Sequence, residues 1–343
     1  MRPGPEAIET MKALIRSLAD SESLAADVKS ETRTRDGTEI KLLANLNLVS
    51  ELDVALRVKA QGIGLYRTEF PFIVRTTFPT EEEQYLGYRR VLERMNGRPV
   101  VFRTLDIGGD KALSYFQMGQ GSNPVLGLRA LRFSLRNPAI FKQQLRAMLR
   151  AAHGNPHCRI MFPMVASLDE FLAARNHACA CQRELEQEGV PSRLPQLGVM
   201  IELPSAAILA KELADAADFL SIGSNDLIQY LLAVDRTNDE MADWFSPHHP
   251  AVLRTLHNIV TAAETAGKPL SLCGNLATDF RMLPFLLGIG LSTFSLDSMA
   301  IPAVQRRIAQ IDMDQARFQA RKMLSFGRIE DVAEYLKTAG AVD

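Results

Sequence analysis

From Ile40 onward, short apolar runs alternate with longer amphipathic stretches, and this alternation limits the fold more than any other feature. The runs fall at 40–44, 63–66, 100–105, 159–162, 197–201, 219–222, 270–273 and 293–295, and read as buried strands. Helical patterns lie between them at 49–60, 81–95, 168–188, 206–214, 251–266 and 280–287. Strand–helix alternation implies a parallel sheet, because parallel neighbours need a crossover. Eight units suggest closure, so the predicted fold class is α/β, a (β/α)8 TIM barrel. The segment 106–152 is longer than one crossover needs and carries a helical pattern over 138–151. It reads as an insertion after the third strand, over the top of the barrel. The tail beyond Ile301 reads as amphipathic helix. Residues 1–35 are polar and helix-leaning, a linker or docking helix before a barrel at 36–343.

Composition removes several function classes. The 343 residues are 47% hydrophobic and 23% charged, enough for one large domain. The net charge is -1 with no basic stripe, which argues against nucleic acid. No apolar run has membrane-spanning length, and the start lacks a signal-peptide pattern, so no membrane is expected and the cytoplasm is the default location. Of the four cysteines, Cys179 and Cys181 lie two apart on a helical pattern and point in different directions. With no second pair or histidine cluster, they and Cys158 read as reduced thiols rather than a zinc site.

The informative polar residues fall at the carboxyl ends of the strands. Tyr66-Arg67-Thr68-Glu69 follows the second, Arg103-Thr104-Leu105-Asp106 closes the third, and Glu202 follows the fifth. The sixth runs into Gly223-Ser224-Asn225-Asp226, with Asp235-Arg236 close behind, and the seventh ends in Cys273-Gly274-Asn275. In a barrel these positions share one mouth, the face where barrel chemistry sits. Arg67, Arg103, Arg129 and Arg236 would repel one another without an anion, and a phosphate or carboxylate supplies one. Glu202 and Asp226, on neighbouring strands, are a sensible pair for Mg²⁺. Asn225 adds a neutral donor, and Cys273 a thiol able to move one proton. Taken singly, each signal is bland. Arg67-Thr68-Glu69 alone is a surface ion pair, Asp106 with Gly108-Gly109 a turn, and Cys273 a packed thiol. Gly108-Gly109-Asp110-Lys111 lacks P-loop spacing. His248 and His249, set between prolines, read as loop residues.

The order of these motifs resembles the phosphoenolpyruvate-binding domain of Enzyme I of the bacterial phosphotransferase system. The stretches that carry the likeness are 62–70, 103–111, 123–129, 221–227 with 233–236, and Leu272-Cys273-Gly274. Tyr66 and Phe70-Pro71-Phe72 look more like the nitrogen-related branch. The resemblance implies a transferase that binds phosphoenolpyruvate and Mg²⁺, forms a homodimer, and serves sugar transport through a carrier protein. It implies Glu202 and Asp226 as metal ligands, and Arg67, Arg103, Asn225 and Arg236 as contacts of phosphate and carboxylate. Arg129 becomes a further anion contact, and Cys273 the donor that protonates the enolate carbon as pyruvate forms.

Two departures stand out. The family's phosphorylatable histidine sits in a separate amino-terminal domain, and none of the six histidines here lies in such a motif. The chain is therefore expected to lack its phospho-histidine domain, as an excised fragment or a naturally shortened relative, and a free histidine domain could serve in trans. The family also usually carries Cys-Gly-Glu where this chain has Cys273-Gly274-Asn275, so Cys273 is expected to ionise more easily or to be less well oriented. Rival readings are a barrel of the pyruvate phosphate dikinase or phosphoenolpyruvate synthase type, and a non-catalytic phosphoenolpyruvate sensor or dimerisation module.

Overall fold

Eight strands lie side by side in chain order in the computed structural model, which describes residues 28–108, 115 and 126–339. They are β1 (Glu39–Leu46), β2 (Ile63–Arg67), β3 (Val100–Arg103), β4 (Cys158–Phe162), β5 (Gln196–Ile201), β6 (Phe219–Gly223), β7 (Leu270–Cys273) and β8 (Thr293–Asp297). All are parallel, and β8 pairs back onto β1, with Lys41 opposite Thr293 and Ala44 opposite Leu296. The sheet is a closed (β/α)8 barrel, as the alternation predicts.

Strand residues alternate between two apolar layers. Leu42, Ile160, Ile222, Leu272 and Phe294 face outward into one continuous core shared with the helices. Leu65, Val101, Met161, Met200, Phe219 and Cys273 form a separate plug inside the barrel. A third cluster, Phe72, Leu105, Ile107 and Phe133, roofs the mouth above β3, with Tyr115 packed against it. Each fully buried Phe or Leu is worth about 1.5–3 kcal/mol relative to exposure, so these layers carry the fold.

The helices begin and end where local chemistry dictates. Glu81–Met95 opens on a capping box: Thr80 Oγ1 accepts from the Glu83 amide while Glu83 accepts from the Thr80 amide at 2.8 Å. It closes on Asn96 in the left-handed region. His249 is more than a loop residue, because its Nδ1 caps Pro250–Thr265 by accepting from the Ala251 amide at 3.0 Å. The helix expected over 280–287 starts later, at Leu283. The Asp279 carboxylate captures the Arg281 amide in a turn, and Pro284 fits only the helix's first turn. The pattern at 206–214 is two helices, Pro204–Ile208 and Ala210–Ala216. β3 stops at Arg103 rather than residue 105, because the Leu105 amide donates to the Gln144 side chain instead of a strand.

Of the segment read as a linker, residues 1–27 lie outside the described residues. Residues 28–35 belong to the barrel's lower end: the two-residue strand Thr32–Arg33 pairs antiparallel with Glu39 and Ile40, and the Arg35 amide donates to Ile311. Of the expected insertion, 109–114 and 116–125 lie outside the described residues. Its later part forms the helices Leu131–Arg136 and Pro138–Ala151. The tail is helical, in Ile301–Ile308, Met313–Ser325 and Ile329–Ala339. No helix among the described residues is long and apolar enough to cross a membrane.

Candidate active site

A cleft of about 430 Å³ opens at the carboxyl ends of the strands. Arg67, Arg103, Arg129, Arg236, Asn225 and Asp226 line it, together with Asn47, Glu69, Phe70, Ile73 and Asp106. Six of the eight residues picked from sequence therefore meet in one cavity. Glu202 and Cys273 lie beneath it, buried to 1% and 3% exposure.

The arginines are held in two ways. Arg103 is buried, with Nη2 2.6 Å from Glu69 Oε1 and 3.1 Å from Asp106 Oδ2. Arg129, equally buried, grips Asp106 through two bonds, Nε to Oδ1 at 2.9 Å and Nη2 to Oδ2 at 3.1 Å. Its Nη1 lies 3.5 Å from Asp226 Oδ1 and 3.3 Å from the Tyr230 hydroxyl. Burial works against both charges. For Arg103 the facing Glu69, then Asp106 and Glu202, outweigh it and raise the pKa; for Arg129 it is Asp106 above all. Arg67 and Arg236 are looser. Arg67 donates to Asn47 at 3.0 Å, and Arg236, its side chain 33% exposed, sits 3.5 Å from Asp226 Oδ1.

This pairing corrects two expectations. The arginine cluster does not need an exogenous anion to exist, since three carboxylates of the chain share the cleft with it. Glu69 and Asp106 are neither a surface pair nor a plain turn. They are buried to 5% and 1% and set the positions of Arg103 and Arg129. Sequence reasoning passed over them as binding-site parts, although each lies within three residues of a chosen arginine.

A buried polar network stands behind this lattice. Gln144 accepts from the Leu105 amide at 2.9 Å and donates to Thr68 Oγ1 at 3.1 Å and the Tyr88 hydroxyl at 3.3 Å. Thr68 Oγ1 donates to the Arg103 carbonyl at 2.9 Å. The helix Pro138–Ala151 thus ties the loop after β2 to the end of β3.

Glu202 follows β5 directly, and Asp226 comes from the helix Ser224–Leu232. Glu202 Oε1 accepts from the Met164 amide at 2.6 Å. Burial first, and then the charge of Asp226, hold the Glu202 carboxyl well above the usual range. Glycine is required at 223 because a Cβ there would stand 2.7 Å from Glu202 Oε2. Met164, φ 53°, and Ala130, φ 51°, both sit in a region L-residues rarely adopt, each beside a site side chain.

Cys273 ends β7 inside the barrel. Its Sγ accepts from the Ser221 hydroxyl at 3.7 Å and lies 3.3 Å from the Ile222 carbonyl. Burial pushes the thiol up to about 11, with the Ser221 hydrogen bond pulling the other way. Burial dominates the thiol and favours its protonated form. Asn275 is exposed, and its backbone amide donates to Asn225 Oδ1 at 2.9 Å. Gly274, φ 112°, makes that turn possible, since a Cβ would lie 2.3 Å from Ser224 Oγ. Cys158, Cys179 and Cys181 are unpaired thiols.

Fold and site together define a (β/α)8 barrel with a guanidinium- and carboxylate-lined mouth over a buried thiol. The chain belongs to the PEP-utilising enzyme, PEP-binding domain family, whose model matches residues 21–313. It is 41% identical over 340 residues to a phosphoenolpyruvate-protein phosphotransferase of Bacillus sp. (strain S), covering 98% of this chain and 58% of that protein. A phosphoenolpyruvate-protein phosphotransferase of Haemophilus influenzae is 42% identical over 93% of this chain and 56% of its own length. The chain thus spans a little over half the length of these relatives. Among solved structures, a citrate lyase of Burkholderia xenovorans LB400 superposes with a TM-score of 0.51 at 15% identity, covering 93% of this chain and 95% of that one. That likeness concerns the fold alone.

Proposed function

We propose that this chain is the phosphoenolpyruvate-binding catalytic unit of a phosphoenolpyruvate–protein phosphotransferase. The observation that carries this reading is the gathering of four guanidinium groups in one cleft with donor capacity unspent. Among the described residues Arg103 Nε is buried with no hydrogen-bond partner, and its Nη1 has only the Met200 sulfur at 4.0 Å. A buried donor left unmet is costly, and a ligand oxygen removes the cost.

The lining carries four arginines against Glu69, Asp106 and Asp226, an excess of one positive charge. A phosphate plus a carboxylate brings about three negative charges, and Glu202 adds another when ionised, so a divalent cation would offset most of the excess. The donor set suits Mg²⁺. Among the described residues no group of three His, Cys, Asp or Glu gathers for a metal, and Mg²⁺ takes one or two carboxylates plus water and substrate oxygens. Glu202 and Asp226 would hold it, relieving the repulsion that raises Glu202. When bound, Mg²⁺ supplies Lewis-acid stabilisation of phosphoryl charge.

The chain's own residues do the rest. Arg103 and Arg129, locked by Asp106, present fixed donors, and Arg67, Arg236 and Asn225 close on the remaining anionic oxygens. Transfer of the phosphoryl group to a histidine of another domain leaves an enolate. Cys273, protonated at neutral pH because burial lifts it to about 11, gives its proton to the enolate carbon and pyruvate leaves. That proton supply favours catalysis over pure sensing, which needs no donor. The acceptor histidine domain, a downstream carrier, cytoplasmic location and a homodimer belong to the same proposal. Phe70, which lines the cleft, and the exposed Leu126, Ile208 and Trp244 offer apolar surface for such partners.

The test is calorimetric titration of phosphoenolpyruvate with and without Mg²⁺, beside Asp226→Ala. Metal-dependent binding that the substitution abolishes is expected. Folded wild-type chain that binds nothing under either condition overturns the reading.

A further inference from the structure

The thiol that ends β7 has a second connection, pointing away from the mouth. Ser271 lies two residues before Cys273 on the same inward face, and Ser221 stands opposite Ser271 on β6. Ser271 Oγ donates to Ser221 Oγ at 3.0 Å, and Ser221 Oγ donates to Cys273 Sγ at 3.7 Å. The two contacts string both hydroxyls in a row that ends at the sulfur.

The surroundings make this chain of hydroxyls unusual. The middle of the barrel is apolar, with Leu65, Val101, Met161, Met200 and Phe219 packed about Cys273. Ser221 is 1% exposed, and a hydroxyl there must be bonded or bear a desolvation cost. Below this plug the inward positions become polar and wetter. Lys41 is exposed, and Arg159, Ser271 and Thr293 are half-buried, while their neighbours Leu42, Ile160, Leu272 and Phe294 face the outer core. Ser271 therefore stands where the plug meets the solvated lower end.

We propose that Ser271 and Ser221 form a hydroxyl relay that returns a proton to Cys273 from the lower end of the barrel. The inference rests on the proton-donor role given to Cys273 above. When the thiol has given its proton to the enolate carbon, a thiolate remains beneath an occupied mouth. It takes the Ser221 hydroxyl proton, Ser221 takes that of Ser271, and Ser271 takes one from water at the lower end. One S–H bond breaks and re-forms, both serines end as they began, and the net change is one proton moved from water to carbon, with hydroxide released to the solvent at the lower end. Substrate and product need not leave the mouth for the thiol to recover. Neither serine touches substrate, and both act through the sulfur.

The experiment follows the thiol directly. The infrared S–H band of Cys273, identified by its loss in Cys273→Ala, is watched after transfer of the protein into D2O. In Ser221→Ala and in Ser271→Ala, conversion to S–D should slow about tenfold or more. Ser271→Thr, which keeps a hydroxyl, should exchange near the wild-type rate and so separates relay loss from repacking. Unchanged exchange in both alanine variants overturns the relay, as does equal slowing in Ser271→Thr. The role of Cys273 toward substrate is read separately. Pyruvate formation by Cys273→Ala, with a histidine domain supplied in trans, would remove that role without altering the exchange result.

Discussion

The two halves of the mouth are built differently. On the β3 side, Arg103 and Arg129 are buried, doubly bonded and backed by Glu69, Asp106 and the Gln144 network. On the other side, Arg67 makes one hydrogen bond to Asn47, and Arg236 approaches Asp226 only at 3.5 Å. The first half is preorganised, its charges already desolvated and neutralised by the chain. The second keeps its guanidinium groups partly in water, where they can change partners cheaply. A ligand entering the cleft gains fixed geometry from one side and new ion pairs from the other. Preorganisation matters because donors that need not move at the moment of reaction cost no reorganisation.

The sharpest way to break this comparison is Asp106→Ala. It strips the bidentate partner of Arg129 and one partner of Arg103, leaving buried charge uncompensated. Urea unfolding should show a loss of about 3–5 kcal/mol, and an unchanged midpoint would mean that the lattice does not hold this half. Cys273→Ala, beneath the cleft, should leave phosphoenolpyruvate binding nearly intact and lower pyruvate formation by about 10²–10⁴-fold. The sign of its pH dependence follows from the raised thiol. The S–H form is complete well below about 11 and is lost as pH rises through that value, so Cys273 imposes no fall in rate near neutrality. On the loose side the pattern should invert. Arg67→Ala and Arg236→Ala should change stability by less than about 1 kcal/mol. Each should weaken calorimetric phosphoenolpyruvate binding by about 1.5–3 kcal/mol. Gln144→Leu tests the support behind the lattice. It orphans the Leu105 amide and should cost about 1–3 kcal/mol in thermal or urea unfolding. The smallest effect belongs to Asn275→Glu, which should raise turnover modestly with binding unchanged. Turnover equal to wild type would show that this position does not tune Cys273.

Much of the architecture was legible because its signals are local. Each barrel strand is a short apolar run, and each was placed within a few residues. The errors came where side chains compete with the backbone. Gln144 ends β3 early by taking the Leu105 amide, and Asp279 delays the helix at Leu283. The site residues were legible as an ordered series at strand ends, since closure of a parallel barrel brings those ends together. Glu69 and Asp106 were not legible as parts of the site. In one dimension an acid near an arginine has the pattern of a solvated pair, and only burial distinguishes the two.

The sequence alone determined the eight-fold alternation, the polar residues at strand ends and the thiol at the end of β7, because strand periodicity and turn chemistry act within a few residues. Tertiary structure decided which arginines are locked and which are loose, that Glu202 lies beneath the cleft rather than in it, and that Ser221 and Ser271 line up under Cys273. Those facts depend on desolvation and on register between strands 50 residues apart, and neither is written in local sequence.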